Sequence, residues 1–309
     1  MPTIGIMHSG SPTEGYHTAN IDTFVKSLEA EFGQTVDIFG SGPVWAYNDS
    51  TKLKKLAAAL LDGKVNLIVA AGGSRSAEAA IQTTKAQPKK TRAATPVVFT
   101  SASHSVAHMA SLPSYVTGAC AHTSDLDVDR LDFLTQVRPN DKNFGVLVNS
   151  NRSDYKKKQK DALDAFATQN QLDKLSYQDM NGANTPKKAF QAWQGKVAGA
   201  LVAADPFFND TRQELVDLGG NIPLIFQWKE FVELGGLMSY GVSIAKAYSE
   251  AGKIAGKILK TPNTIPAVWE PDPNTDFELV INTTTASKLR LTIPQSMLNK
   301  ATIIKKHHS

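Results

Sequence analysis

The 309 residues carry 33 lysines and arginines against 29 aspartates and glutamates, and 41% are hydrophobic; that is about two domains' worth of chain with apolar side chains for two cores. The net charge of +4 is spread out apart from Lys156–Lys160 and Lys305–Lys306 and is not interleaved with stacking aromatics, so no nucleic-acid partner is expected. The single cysteine, Cys120, rules out an internal disulfide and multi-cysteine metal clusters, and no apolar run approaches the roughly 18 residues of a membrane span.

Strand and helix patterns alternate from the start. TIGIM is a short apolar strand. No basic, apolar and small-residue leader precedes it, which leaves two readings: a trimmed export signal or a cytoplasmic protein. NIDTFVKSLEAEFG follows, with Ile21, Phe24, Val25, Leu28 and Phe32 on one helical face and Gly33 as its stop. TVDIF is the second strand. STKLKKLAAALLDG is the second helix, with Leu53, Leu56, Leu60 and Leu61 inward. VNLIVAA is the third strand. Gly72 and Gly73 then allow close approach of the backbone, Ser74 or Ser76 caps the next helix, which is expected from Ser76, and its first N–H groups make an anion site. QPKKTRAA reads as a solvated loop before PVVFT, the fourth strand.

The rhythm then restarts, with a crossing expected near Tyr115–His122. SDLDVDRLDFLTQV is a helix, NFGVLVN a strand, SDYKKKQKDALDAFATQN a helix and KLSYQDM a strand. TPKKAFQAWQGKV is a helix, GALVAAD a strand, NDTRQELVDLG a helix and IPLIF a strand. A long helix, VSIAKAYSEAGKIAGKIL, precedes the proline-rich TPNTIPAVWEPDPNT, which reads as an extended crossing. FELVINTTTASKLRL then gives one more strand and a short helix. Two βα runs of this kind give two lobes, with open parallel sheets covered on both faces.

Several catalytic chemistries lack their motifs. A phosphate-binding P-loop needs a lysine that AGGSRSAEAA does not have, and MHSGSPTEG lacks the glycine spacing of a dinucleotide fingerprint. No GxSxG nucleophile elbow occurs. His104 and His108 are four apart, but HSVAH has no glutamate between them and no third ligand is evident, so no metal and no cofactor are expected. A lone Cys120 also argues against a racemase with one cysteine from each lobe.

What remains is a row of polar residues at the carboxyl ends of strands, where open α/β sheets bind ligands. In the first run these are Ser9, Gly73, Ser74 and Ser101; in the second, Asn149, Asp205 and Gln227. Each also suits a helix cap, and it is their recurrence in both runs that points to a ligand. The Gly73 and Ser74 N–H groups and the Ser74 hydroxyl are expected to receive a carboxylate or similar oxygen, with Ser9 and Ser101 adding donors. Asp205 is either the partner of an ammonium group or the cap of the segment that starts at Pro206. Trp45, Phe207 and Trp228 either cover an apolar side chain of the ligand or belong to the cores. No nucleophile–base pair stands among them, so no catalytic residues are expected.

The last third of the chain resembles a known family. DPFF, GGLMSYG, FELVIN and the spaced TAS, L, L and IP, with NLIVAAGGSRSAEAAIQTT and FGVLVN earlier, stand in the order and spacing of the tryptophan/aromatic-amino-acid-type substrate-binding proteins of ABC transporters. The resemblance implies a type I periplasmic-binding-protein fold, an α/β architecture of two Rossmann-like lobes with parallel sheets. One lobe would be 1–120 plus about 240–265, the other 121–239 plus about 266–309, with three crossings and a ligand cleft between them. It further implies a non-enzymatic, exported monomer that captures a small amino-acid-like solute and delivers it to an ABC permease in the membrane. The other reading is a cytoplasmic ligand sensor or enzyme on the same two lobes. The chain departs from the family at Ser101–Ser105, where SASHS replaces the usual GDP.

Overall fold

The structure is a computed structural model that describes residues 1–12, 15–47, 49–86, 94–103, 112–149, 153–180, 185–209 and 211–306. The expectations placed on 87–93, His104, Ser105, His108, Ser150, Asn151, His307 and His308 lie outside the described residues. The chain divides into two compact units, Met1–His122 with Ile244–Pro271, and Thr123–Ser243 with Asp272–Ser309.

The first unit opens with β1 (Thr3–His8), α1 (Tyr16–Phe32), β2 (Asp37–Ile38), β3 (Val44–Trp45) and α2 (Ser50–Asp62). It continues with β4 (Leu67–Ala71), α3 (Ser74–Ala86), β5 (Val97–Ala102) and β6 (Val116–Cys120). All pairings are parallel, in the order β2-β1-β4-β5-β6, with β3 beside the end of β1. β4 and β5 are buried along their whole length, which is why LIVAA and VVFTSA read as continuous rather than alternating strands. Gly33 stops α1 in the left-handed conformation, its N–H bonded to Glu29 O.

The second unit runs α4 (Asp127–Val137), β7 (Phe144–Val148), α5 (Ser153–Gln169), β8 (Ser176–Asp179), α6 (Pro186–Trp193) and β9 (Gly199–Val202). Then come α7 (Pro206–Asn209), α8 (Arg212–Leu218), β10 (Leu224–Phe226), α9 (Lys229–Glu233) and β11 (Met238–Val242). The chain re-enters the first unit as α10 (Ile244–Lys260), which turns Ala247, Tyr248, Ala251 and Ala255 inward. The second unit is completed by β12 (Phe277–Asn282), α11 (Thr283–Lys288), α12 (Gln295–Leu298) and β13 (Thr302–Ile304). Its sheet order is β13-β12-β11-β10-β9-β7-β8, parallel except where β12 runs against β11. Leu131, Leu134, Phe144, Val146, Leu201, Ile225, Met238 and Ile281 are among the side chains that fill its core.

Four local expectations change. The second strand shrinks from TVDIF to two residues, because the chain turns through Phe39–Ser41 with Gly40 at positive φ before β3 forms. The helix expected from Ser76 begins at Ser74. α6 ends at Trp193, short of the QGKV expected to continue it. β6 and β11 are strands that no apolar run announced. Each is broken by a glycine packed against a neighbouring strand: a Cβ on Gly118 would lie 2.1 Å from Phe99 O, and one on Gly241 2.3 Å from Gln227 O.

Candidate functional site

An open α/β sheet binds ligands outside the carboxyl ends of two adjacent strands whose connections lead to opposite sides. In the first sheet that place lies between β1 and β4, where His8 pairs with Ala71. In the second it lies between β7 and β9, where Leu147 pairs with Val202. The candidate residues collect at these two rims, each within one unit.

The first rim is built from four strand ends. Ser9 follows β1 and donates its hydroxyl proton to Gly72 O at 2.6 Å, which leaves the Ser9 oxygen as an acceptor. Gly72 and Gly73 both have positive φ, +83° and +95°, and turn the chain from β4 into α3. Ser74 is the first helical residue; its oxygen accepts from Ser103 N at 3.0 Å, so the hydroxyl proton is free to point elsewhere. The first-turn N–H groups of a helix have no intrahelical partner, and Gly73 and Ser74 supply two such donors beside that hydroxyl. Ser101, near the end of β5, is 8% exposed. Trp45 ends β3 half-buried, its ring 4.9 Å from that of His8 and 6.4 Å from that of His17. Beyond it Tyr47 stands exposed at φ +52°, its N–H bonded to Gly10 O at 3.0 Å.

Sequence reasoning missed what lies beneath this rim. His8 is wholly buried, and Gly10 N donates to its Nδ1 at 2.9 Å. Burial, with the His17 ring close by, holds the imidazole well below its usual pKa, so it is neutral. Its Nε2 lies 3.1 Å from the phenol oxygen of Tyr248, and Gly72 N donates to the same oxygen at 3.1 Å. Burial pushes the Tyr248 phenol up to about 12. The buried tyrosine on the apolar face of a long helix reads as core from sequence; only the fold brings it to Gly72.

The second rim joins Asn149, after β7, to Asp205, after β9. Asn149 Nδ2 donates to Asp205 Oδ1 at 3.2 Å, and Phe207 N donates to the same oxygen at 2.9 Å. Asp205 therefore does cap the segment from Pro206, and it is only 3% exposed. Phe207 is half-buried, edge-on to Phe208 at 5.5 Å. Gln227 follows β10 with no exposed surface, and both its amide atoms lack a partner among the described residues. The same holds for Nε1 of Trp228, whose ring stacks over Phe231 at 6.3 Å. A buried amide left unpaired costs about 1–3 kcal/mol, so such groups call for an explanation.

Behind this rim lies Arg130, also missed. It is wholly buried in α4, pairs with Asp127 at 2.6 Å, donates through Nε to Tyr240 O at 2.7 Å and bonds Thr123 O. A Cβ on Gly241 would lie 3.3 Å from its Nη2, which puts the guanidinium beside the Gln227 backbone. An aspartate three residues before an arginine on a leucine-bearing helix face was the legible sign. A cavity of about 850 Å³ at the opposite, amino end of the first sheet, lined by Phe32, Tyr115, Ile258 and Ile265 among others, contains none of the candidate residues. Among the described residues, no three His, Cys, Asp or Glu side chains gather to hold a metal ion, and no helix is long and apolar enough to cross a membrane.

The family described as ABC transporter substrate binding protein matches residues 39–305. The chain belongs to that family. It is a family of solute-binding proteins and not of enzymes. Among solved structures, this binding protein is similar to the Streptococcus pneumonia ABC domain in complex with L-Trp, at 21% identity and TM-score 0.74 over 97% of this chain and 99% of that one. It is similar to a conserved domain protein from Vibrio cholerae, at 17% identity and TM-score 0.78 over 98% and 99%. It is also similar to the Thermotoga lettingae 5-methylthioribose transporter solute binding protein in complex with 5-methylthioribose, at 12% identity and TM-score 0.61 over 96% and 90%. No curated protein matches. Identities this low carry the fold, which is the two-sheet type I periplasmic-binding-protein arrangement expected from the sequence.

Proposed function

We propose that this binding protein captures a small zwitterionic, amino-acid-like solute outside the cytoplasm, as a monomer, and hands it to an ABC permease without transforming it. The observation that carries the reading is the pair of switch-point rims, whose chemistry is opposite. The first offers proton donors, the Gly73 and Ser74 amides and the Ser74 hydroxyl, which suit a carboxylate. The second offers the Asp205 carboxylate with the Asn149 and Gln227 amides, which suits an ammonium group and its neighbours. Ser9 and Ser101 border the first set; Trp45, Phe207 and Trp228 supply aromatic surface for the solute's side chain. The L-Trp complex of the Streptococcus protein supports an amino acid, and the 5-methylthioribose complex names the competing class.

A solute that engages both rims at once favours whichever arrangement of the units lets it do so, and it shifts the population by its differential affinity. Going from 1:99 to 99:1 takes about 5.5 kcal/mol, which a few charge-assisted hydrogen bonds of roughly 1.5–3 kcal/mol supply. The test is a thermal-shift panel of the common L-amino acids, pentoses and hexoses, followed by calorimetry on the hits. The reading expects an amino acid to raise the melting temperature, with affinity lost in Ser74→Trp. Stabilisation by sugars alone would overturn the amino-acid class.

A further inference from the structure

Four elements of the first unit converge on one phenol. The Gly10 N–H donates to Nδ1 of His8 at 2.9 Å, which identifies Nδ1 as the unprotonated nitrogen. The ring is neutral, so its one proton sits on Nε2, 3.1 Å from Tyr248 Oη, and is donated there. The Gly72 N–H donates to the same oxygen at 3.1 Å. Tyr248 Oη thus accepts two hydrogen bonds, from His8 Nε2 and Gly72 N. The carbonyl of Gly72 is held in turn by the Ser9 hydroxyl at 2.6 Å. Both polar groups of the Gly72 residue are therefore fixed, one by α10 and one by the end of β1.

The clamp has a chemical consequence. It takes the Gly72 N–H and the Ser9 O–H out of service as donors and leaves those of Gly73 and Ser74. It also holds Gly72 at φ +83°, in the left-handed turn that leads from β4 into α3. We propose that Tyr248 is the positioning residue of the first rim: its phenol, oriented by the His8 Nε2 proton, fixes the Gly72 peptide and so presets the Gly73 and Ser74 donors for the solute. This rests on the proposed role of that rim. Tyr248 touches no solute itself.

Tyr248→Phe removes the oxygen and keeps the ring. Amide hydrogen exchange by NMR, on the solute-free protein, reads the clamp without any ligand. The expected result is exchange at Gly72 faster by roughly 30-fold, the loss of about one buried hydrogen-bond acceptor, while the amides of 68–70 in β4 keep theirs. The ring proton on His8 Nε2 loses its acceptor as well, and its NMR signal broadens or disappears by exchange. Unchanged protection at Gly72 overturns the proposal. So does a uniform loss across β4 and α10, which is what a merely structural tyrosine gives. Should Tyr248→Phe fail to fold, His8→Asn, whose shorter amide does not reach the phenol, is read by the same local-against-uniform criterion. A second arm uses L-tryptophan as probe, with affinity expected to fall about tenfold in Tyr248→Phe. If L-tryptophan does not bind the unsubstituted protein, the amino-acid reading fails, while the exchange arm still decides the clamp.

Discussion

Gly72→Ala and Gly73→Ala, adjacent and chemically identical changes, are expected to differ in cost. Both residues have positive φ, +83° and +95°, so each alanine carries a backbone strain of roughly 1–2 kcal/mol. At Gly73 that is the whole penalty, because the added Cβ meets Ser101 O at 3.7 Å and Ser103 Oγ at 3.9 Å, ordinary contacts. At Gly72 the Cβ would lie 2.4 Å from Ser9 Oγ and 2.8 Å from His8 Cε1. The serine must then give up its bond to Gly72 O, worth about 0.5–1.5 kcal/mol, and the buried imidazole has no room to move away. Gly72→Ala should therefore cost about 1.5–3.5 kcal/mol, roughly 0.5–1.5 kcal/mol more than Gly73→Ala. Urea unfolding at neutral pH gives both numbers by linear extrapolation. If the two units unfold separately, the comparison uses the transition that removes Trp45 fluorescence. Equal losses, or a neutral Gly72→Ala, would refute the packing of Ser9 and His8 against this turn.

Three further outcomes follow from the same geometry. Asp127→Ala strands the buried Arg130 guanidinium and should cost about 3–5 kcal/mol in chemical denaturation, whereas Arg130→Met in the Asp127→Ala background should recover part of that loss. His8 is neutral in the folded protein because its pKa is depressed below 6.5, so the unfolded chain binds the extra proton first. Its contribution is present above about pH 6.5 and is lost as pH falls below it, at up to about 1.4 kcal/mol per pH unit, and His8→Gln should flatten that slope by up to one proton in stability measured from pH 7 to 4.5. Gln227→Met removes a buried amide with two unpaired atoms, so the melting temperature should rise, by an amount equivalent to about 1 kcal/mol, while calorimetric affinity for the solute falls at least tenfold.

The sheets were legible because parallel strands buried on both faces leave uninterrupted apolar runs such as LIVAA and FGVLV, and because Gly33 stops α1 where a left-handed residue is needed. β6 and β11 were hidden by Gly118 and Gly241, which are in those strands for close approach and not for apolar surface. The polar strand ends Ser9, Ser74, Asn149, Asp205 and Gln227 were visible as a recurrence. Their hydrogen-bond state was not, because it depends on partners 29 to 63 residues away, as in Ser103 N to Ser74 and Ser9 to Gly72. Tyr248 was illegible for a stronger reason: its partners His8 and Gly72 lie 240 and 176 residues earlier. A tyrosine among alanines and isoleucines at helical spacing looks like any core aromatic.

Native mass spectrometry of the protein as purified, beside Ser74→Trp, tests most directly whether a small solute is held and left intact. The unsubstituted protein is expected to carry one bound molecule of amino-acid mass, released on denaturation and unchanged after prolonged incubation with excess protein, and Ser74→Trp is expected to carry none. A solute retained equally by both proteins, or one converted to a product of different mass, would contradict capture without chemistry at these rims.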